Sequence, residues 1–231
     1  MKSKKQKVAI FDVDGTIFRS SLFLQLIFAL IDKGIFPKST RDEYAQMEKR
    51  WLDRTGDYDS FLMAAVKSFM IHIKGVHYSD FADVAAEIVV EQQSRVYKYT
   101  RDLVAKLHTK KYYLVAISQS PKTVLEEFCK KLHFDKVYGR IYQIGATNKF
   151  TGEVNDLHLI ANKANIVKRV IEKEGLTLDG SVGVGDTEGD IPMLELVERP
   201  IAFNPNEKLY RHARRMGWEV VVERKDVIYK L

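Results

Sequence analysis

The stretch Phe11-Asp12-Val13-Asp14-Gly15-Thr16 decides the fold, because it joins an apolar run to two carboxylates spaced two residues apart. The preceding Val8-Ala9-Ile10 predicts a short buried strand, and Gly15-Thr16 predicts the turn that ends it. Alternation along a strand would place Asp12 and Asp14 on one face. Two carboxylates at one point need a cation, a proton or both. Taken alone, the stretch is equally compatible with a polar turn that ends a strand.

Two more apolar runs end in polar side chains. Residues 113–117 lead into Ser118-Gln119-Ser120-Pro121, and residues 182–185 lead into Asp186-Thr187-Glu188-Gly189-Asp190. Lys163 lies between them, near the start of a helical stretch. In open parallel sheets, ligands bind outside the carboxyl ends of the strands. The sequence therefore predicts one crevice that collects two pairs of carboxylates, a hydroxyl and a lysine.

Together these segments resemble the four motifs of the haloacid dehalogenase superfamily of phosphohydrolases. The motifs are Asp12-Val13-Asp14-Gly15-Thr16, Ser118, Lys163 and Gly185-Asp186-Thr187-Glu188-Gly189-Asp190, in that order. The resemblance covers roughly residues 6–222. It is closest to the subfamily that contains phosphoserine phosphatase, whose members carry a helical cap between the first two motifs. It implies a phosphatase for a small phosphate monoester.

The resemblance implies a role for each residue that meets the phosphoryl group. Asp12 is expected to be the nucleophile, which forms an aspartyl-phosphate. Asp14 is expected to protonate the leaving group and then to activate water as general base. Ser118, Lys163 and the backbone N–H of Gln119 are expected to hold phosphate oxygens.

The same resemblance implies a magnesium site. A carboxylate is repelled by a phosphate dianion unless a cation bridges them, and a hard divalent cation with oxygen ligands fits this set. The expected ligands are the side chains of Asp12 and Asp186 and the backbone carbonyl of Asp14. Asp190 is expected to orient this site from behind the ligands.

Three positions depart from the phosphoserine phosphatase pattern. Ser21 stands where those enzymes carry a Glu that meets the substrate amino group, Gly189 replaces an Asn, and Gln119 replaces a Gly. Lys67, in the third predicted cap helix, corresponds to an Arg near the substrate carboxylate. We expect Ser21 and Lys67 to contribute to substrate choice, and the departures argue against phosphoserine as substrate.

The rest of the chain predicts an α/β fold, with a doubly wound, mostly parallel sheet and an inserted bundle of four helices. The predicted core is 1–17 and 100–231, and the predicted cap is 18–99. Ser120-Pro121 predicts an N-cap and first helical residue, Thr151-Gly152 predicts a hairpin turn, and a helix is predicted over 158–173.

Composition is ordinary for a soluble globular protein, with 45% hydrophobic and 29% charged residues among 231. The longest apolar stretch is too short to span a bilayer, no signal-peptide segment follows the basic start, and a cytoplasmic location is expected. Cys129 is expected to be buried. The net charge of +6 can steer anions. We see no aromatic-interleaved basic motif, which disfavours nucleic acid as partner. The sequence leaves the oligomeric state open.

Three other functions stay open at this point. A phosphotransferase would pass the same aspartyl-phosphate to an alcohol. A non-catalytic binding or regulatory module would use the scaffold without the chemistry, although Asp12, Asp14 and Lys163 are all present. A protein acting at nucleic-acid ends would use the positive charge, and its activity would fall as salt rises.

Overall fold

The computed structural model describes residues 5–155 and 162–231, which divide into two compact units. The core unit comprises residues 5–21, 94–140 and 162–231. The helical unit comprises residues 22–93 and 141–155. The sequence placed 141–155 with the core, whereas in the structure this segment groups with the helices.

The strands run in chain order as β1 (Lys7–Phe11), β2 (Tyr113–Pro121), β3 (Lys136–Ile144), β4 (Phe150–Asn155), β5 (Thr177–Gly185), β6 (Arg199–Phe203), β7 (Glu219–Arg224) and β8 (Val227–Lys230). Within the core unit the order is β3-β2-β1-β5-β6-β7-β8. All neighbouring pairs there are parallel except β7 and β8. The prediction of an α/β fold with a mostly parallel sheet is confirmed.

The helices are α1 (Leu22–Asp32), α2 (Asp42–Leu52), α3 (Tyr58–His72), α4 (Tyr78–Gln92), α5 (Lys98–Thr109), α6 (Lys122–Lys130), α7 (Lys163–Glu174), α8 (Ile191–Leu194) and α9 (Glu207–Met216). Among the residues that the structure describes, none of these helices is long and apolar enough to cross a membrane.

Both faces of the central strand β1 are buried. Val8 and Ile10 belong to a cluster that includes Ile166 of α7, whereas Ala9 and Phe11 are buried on the opposite face. Burial of both faces explains why this strand is a continuous apolar run rather than an alternating one. It also leaves the first polar side chain, Asp12, at the end of the strand.

Lys163 opens α7. The side chain of Asn162 caps this helix by accepting a hydrogen bond of 3.0 Å from the backbone N–H of Ala164. Gly175 ends the helix in the left-handed conformation, with φ of +64°. The predicted start at 158 lies outside the described residues.

Two local predictions were wrong. Ser120 does not cap α6, because β2 continues through Pro121 and keeps Ser120 within the strand; no side chain in the described part of the chain caps this helix. The hairpin turn lies at residues 145–149 rather than at Thr151-Gly152, because Asn148 adopts the left-handed conformation and the N–H of Gly145 donates to the carbonyl of Lys149.

The helical unit is built around aromatic side chains. The ring of Phe69 on α3 lies 5.3 Å from Phe23, 5.7 Å from Phe36 and 5.2 Å from Tyr142. Phe150 of β4 lies 5.0 Å from Phe81. Residues 141–155 therefore group with the helices because Tyr142 and Phe150 bury their rings among helical aromatic residues.

Candidate active site

The candidate site lies at the carboxyl ends of three adjacent parallel strands. Asp12 follows β1, Ser118 lies near the end of β2, and Asp186 follows β5. The N–H of Asp12 donates a hydrogen bond of 2.9 Å to the carbonyl of Val184, which fixes the end of β1 against β5. The sheet order thus brings the first, second and fourth motifs to one edge, as predicted for this class of sheet.

A glycine lets the two acidic segments approach closely. Gly15 has a φ of +83°, and a Cβ built there would lie 2.1 Å from Oδ2 of Asp186. A side chain at this position would therefore be strained by the backbone and would collide with the carboxylate. Both the turn and the neighbouring motif therefore favour glycine at position 15.

Lys163 joins two carboxylates at the centre of the site. Its Nζ donates to Oδ1 of Asp12 at 2.6 Å and to Oδ1 of Asp190 at 2.5 Å, and the residue is only 7% exposed. Burial lowers the pKa of this lysine, but the two carboxylates outweigh burial and raise the pKa well above its ordinary range. Lys163 is therefore a fixed positive charge at neutral pH.

Asp190 is held at both oxygens. Oδ1 accepts from Lys163, and Oδ2 accepts from the backbone N–H groups of Asp186 at 2.9 Å and Thr187 at 3.0 Å. The side chain thus ties Lys163 to the loop after β5.

Asp12 and Asp186 lie in surroundings that disfavour their charge. Burial raises the pKa of Asp12 to about 7, helped by the charges of Asp190 and Asp14 and opposed by Lys163. Burial, Asp12 and Asp190 likewise raise the pKa of Asp186 well above its ordinary range. The crowding of these acids explains the direction of both shifts.

The same crowding fits a hard cation. Oxygens of Asp12, Asp186 and Asp190 lie within 4.8 Å of one another. Oδ2 of Asp12 is buried and has no hydrogen-bond partner in the part of the chain that the structure describes. A buried carboxylate oxygen without a partner is costly unless a cation or proton meets it. The donor set therefore suits Mg²⁺.

The carboxylate of Asp14 accepts hydrogen bonds from two serine hydroxyls. Oδ2 of Asp14 accepts a short hydrogen bond from Ser118 Oγ and a second, of 2.8 Å, from Ser120 Oγ. The sequence predicts Ser118 as a site residue and Ser120 as a helix cap. The signal that would have found it is the Ser-x-Ser spacing, which puts both hydroxyls on one face if the strand continues.

The remaining predicted residues belong to both units. Gln119 is exposed, and its Oε1 accepts a hydrogen bond of 3.0 Å from Nε of Arg140. Ser21 is buried at the end of the first core-unit segment, and Lys67 is exposed on α3 in the helical unit. Cys129 is buried as expected, and burial raises the pKa of its thiol.

A family model described as haloacid dehalogenase-like hydrolase matches residues 9–195, which include every motif residue described above. The chain belongs to this family. The match runs without interruption from the first motif to the fourth. The predicted resemblance is thereby confirmed. The chain is an enzyme of the phosphatase class, a phosphoric monoester hydrolase.

Named relatives place the chain near phosphoserine phosphatases. It is 26% identical over 218 residues to "Phosphoserine phosphatase SerB1" of Mycobacterium tuberculosis, covering 92% of this chain and 69% of the relative. It is 24% identical over 223 residues to a "Histidinol-phosphatase" of Neisseria meningitidis, covering 94% and 98%. A phosphoserine phosphatase structure, a phospho-aspartyl intermediate analogue, has a TM-score of 0.63 at 20% identity and covers 96% of each chain. This last likeness concerns the fold.

Proposed function

We propose that this chain is a Mg²⁺-dependent phosphatase that hydrolyses a small organic phosphate monoester through an aspartyl-phosphate on Asp12. The observation that carries the proposal is the convergence of Asp12, Asp14 and Asp186 with the buried cation Lys163 at one sheet edge. Phosphoryl transfer needs positioning and charge neutralisation more than it needs other covalent chemistry. A site with paired acids and a fixed lysine supplies both.

Mg²⁺ would be held by side-chain oxygens of Asp12 and Asp186 and by the backbone carbonyl of Asp14. When bound, it supplies positive charge that lets an anionic nucleophile meet an anionic phosphate. The unpartnered Oδ2 of Asp12 supports this assignment. Asp190 is less suited as a ligand, because Lys163 and two backbone N–H groups already occupy its oxygens. It orients the lysine and the loop of Asp186.

In the first half of the reaction, a carboxylate oxygen of Asp12 attacks phosphorus, and the bond from phosphorus to the ester oxygen breaks. The proton of the Asp14 carboxyl passes to the departing alkoxide. Lys163, the Ser118 hydroxyl and the backbone N–H of Gln119 bind the non-bridging oxygens. Asp14 lies two residues from the nucleophile, a spacing that supports the action of both carboxyl groups on the same phosphoryl group.

In the second half, water attacks the phosphorus of the aspartyl-phosphate and gives its proton to the Asp14 carboxylate. The bond between phosphorus and the Asp12 oxygen breaks, which releases inorganic phosphate and restores both acids. One residue thus serves as acid and then as base.

The substrate is proposed to be a small phosphorylated metabolite. The relatives named above act on two different substrates, phosphoserine and histidinol phosphate, according to their names. Ser21 and Lys67 are the proposed specificity residues, and the neutral Ser21 argues against a substrate that presents an ammonium group there. Nucleic acid remains the disfavoured partner, and a cytoplasmic location stays a prediction.

The test is a screen of diverse phosphate monoesters with Mg²⁺ present, which compares the wild type with Asp12→Asn. We expect turnover of at least one small ester by the wild type and none by the variant, with the same circular dichroism spectrum for both. A crystal grown with beryllofluoride should show the adduct on Asp12. Wild-type-like hydrolysis by folded, uncontaminated Asp12→Asn would rule out the covalent mechanism.

Added alcohols separate hydrolysis from phosphotransfer. A hydrolase gives inorganic phosphate in equal amount to the alcohol released, whatever alcohol is added. A transferase gives a new phosphate ester at the expense of inorganic phosphate. Product analysis by ³¹P NMR distinguishes the two outcomes.

A further inference from the structure

Ser120 occupies a position that neither the motif assignment nor helix capping explains. It lies in β2, two residues after Ser118, so the two side chains share one face of the strand while Gln119 points to the other and is exposed. Ser120 is 2% exposed. A buried hydroxyl is costly unless it is hydrogen-bonded. Its Oγ donates to Oδ2 of Asp14 at 2.8 Å.

The backbone of Ser120 is also fixed. Its N–H donates a hydrogen bond of 2.9 Å to Ser118 Oγ, so Ser120 contacts both the hydroxyl of the second motif and the second acid of the first. Strand β3 approaches closely here, since a Cβ built on Gly139 would lie 2.9 Å from the Ser120 carbonyl oxygen. The backbone that presents the hydroxyl to Asp14 is therefore both hydrogen-bonded and closely packed, which favours holding a reacting group in place.

We propose that Ser120 is a positioning residue, which holds the Asp14 carboxyl towards the oxygen of the leaving group. This inference rests on the proposed function, in which Asp14 protonates that oxygen. In the same scheme the Ser118 hydroxyl binds phosphate, so Ser118 cannot keep Asp14 in place by itself during turnover. Ser120 is the second hydroxyl on Asp14 Oδ2, and it stays available when Ser118 turns to the substrate.

The test separates protonation of the leaving group from the rest of catalysis. Glycerol 2-phosphate leaves as an alkoxide that needs a proton, whereas p-nitrophenyl phosphate leaves as a stable phenolate that does not. The parameter is kcat/KM, which reports steps up to the departure of the leaving group and excludes dephosphorylation of Asp12. We expect Ser120→Ala to lower kcat/KM for glycerol 2-phosphate about tenfold, a part of the 10²- to 10⁴-fold that general acid catalysis contributes. For p-nitrophenyl phosphate the change should stay within about twofold.

Three variants complete the design. Ser120→Thr keeps the hydroxyl and should recover most of the lost kcat/KM for glycerol 2-phosphate. Ser181→Ala removes another buried serine of the core unit, whose hydroxyl accepts a hydrogen bond from the N–H of Glu198. This variant should leave kcat/KM unchanged for both substrates. If Ser120→Ala fails to fold, Ser120→Cys replaces it, because the thiol keeps the volume and is only a weak donor.

The Asp14→Asn variant distinguishes a failure of the positioning role of Ser120 from a failure of the general-acid role of Asp14. It should reproduce the leaving-group pattern of Ser120→Ala with a larger loss for glycerol 2-phosphate. If Asp14→Asn lacks this pattern, the general-acid role in the proposed function is wrong. The positioning role of Ser120 is overturned, while the proposed function stands, if Asp14→Asn shows the pattern but Ser120→Ala does not. In that case Ser120→Ala lowers kcat/KM equally for the two substrates or for neither of them.

Discussion

The candidate active site of the core unit and the centre of the helical unit are held together by different kinds of contact. In the core unit, Lys163 reaches Asp12 across 151 residues of sequence and holds two buried carboxylates. In the helical unit, Phe69 lies among the uncharged aromatic rings of Phe23, Phe36 and Tyr142. Buried charges tolerate few substitutes, because each must be paired, whereas apolar packing accepts many side chains of suitable volume. The residues of the candidate active site can therefore be recognised as sequence motifs, whereas the packing of the helical unit leaves no comparable motif.

Substitution of one lysine in each unit should give the largest difference in unfolding free energy and in turnover. Lys163→Met removes the cation between Asp12 and Asp190, and loss of one partner of a buried pair costs about 3–5 kcal/mol of unfolding free energy. We expect phosphatase turnover to fall below detection. Lys67→Met, at an exposed site in the helical unit, should change the unfolding free energy by less than about 0.5 kcal/mol.

Urea unfolding in EDTA and turnover with Mg²⁺ measure the two effects. A Lys163→Met protein that unfolds at the wild-type urea concentration would show that the buried network contributes little to the core unit. A Lys67→Met protein that is as unstable as Lys163→Met would remove the contrast.

Metal dependence distinguishes two acids within the core unit. Asp186→Ala removes a proposed ligand, whereas Asp190→Ala removes a side chain whose oxygens are already occupied by Lys163 and backbone N–H groups. The Mg²⁺ concentration for half-maximal activity should rise about tenfold in Asp190→Ala, as for residues behind the ligands, and further in Asp186→Ala. Titration with Mg²⁺ after EDTA treatment measures both. A metal-bound structure without an Asp186 oxygen at about 2.0–2.1 Å from Mg²⁺ would contradict the assignment.

Substrate choice is expected to show a smaller effect. Ser21 offers a neutral hydroxyl where phosphoserine phosphatases carry a Glu, and an ammonium group buried without a counter-charge is costly. We expect kcat/KM for phosphoserine to be at least about tenfold below that for 3-phosphooxypropanoate, which has the same skeleton without the amino group. Steady-state kinetics on this matched pair checks the prediction. A clear preference for phosphoserine across a broad panel would sink it.

The smallest expected effect is a pH dependence in the helical unit. Hydrogen bonds from His72 and then Ser68 lower the pKa of Glu43 below its ordinary value of 4.5, with contacts of 2.7 Å to each. A lowered folded-state pKa adds stability above the unfolded-state value, and this stability is lost as pH falls through the folded-state value. The Tm difference between wild type and Glu43→Gln should therefore be a few degrees or less above pH 4.5 and should shrink at lower pH.

Glu48→Gln, on the same helix α2, is the matched control and should leave the pH profile unchanged. Differential scanning calorimetry between pH 3 and pH 7 compares the three proteins. A Tm difference for Glu43→Gln that grows as the pH falls would reverse the sign and refute the role of this cluster.

The main elements of both units follow from local pattern. The apolar run before Asp12 and the two later runs became β1, β2 and β5, and apolar residues at helical spacing became the buried faces of α3 and α4. Such patterns are read correctly because periodicity reports which face is buried. The short edge strand β8 was not predicted, since its four residues are all exposed.

Ser120 shows why part of the site escaped prediction. Before a proline, a serine reads equally as a helix cap or as the last residue of a strand. The structure shows a strand at this position, because Arg140 of β3 pairs with Pro121 and β2 therefore extends past Ser120. The contact between this hydroxyl and Asp14 thus accompanies a pairing that local sequence does not reveal.

By itself, the sequence determined the α/β class and the family, and it predicted the acids, hydroxyl and lysine of the candidate site, because these depend on short motifs and on the period of apolar residues. Only the tertiary structure decided which unit contains residues 141–155, that Lys163 donates to both Asp12 and Asp190, and that Ser120 contacts Asp14. These features are contacts between residues far apart in the chain. Local propensity carries no information about them, because their free energy comes from burial and pairing that exist only once the strands have assembled.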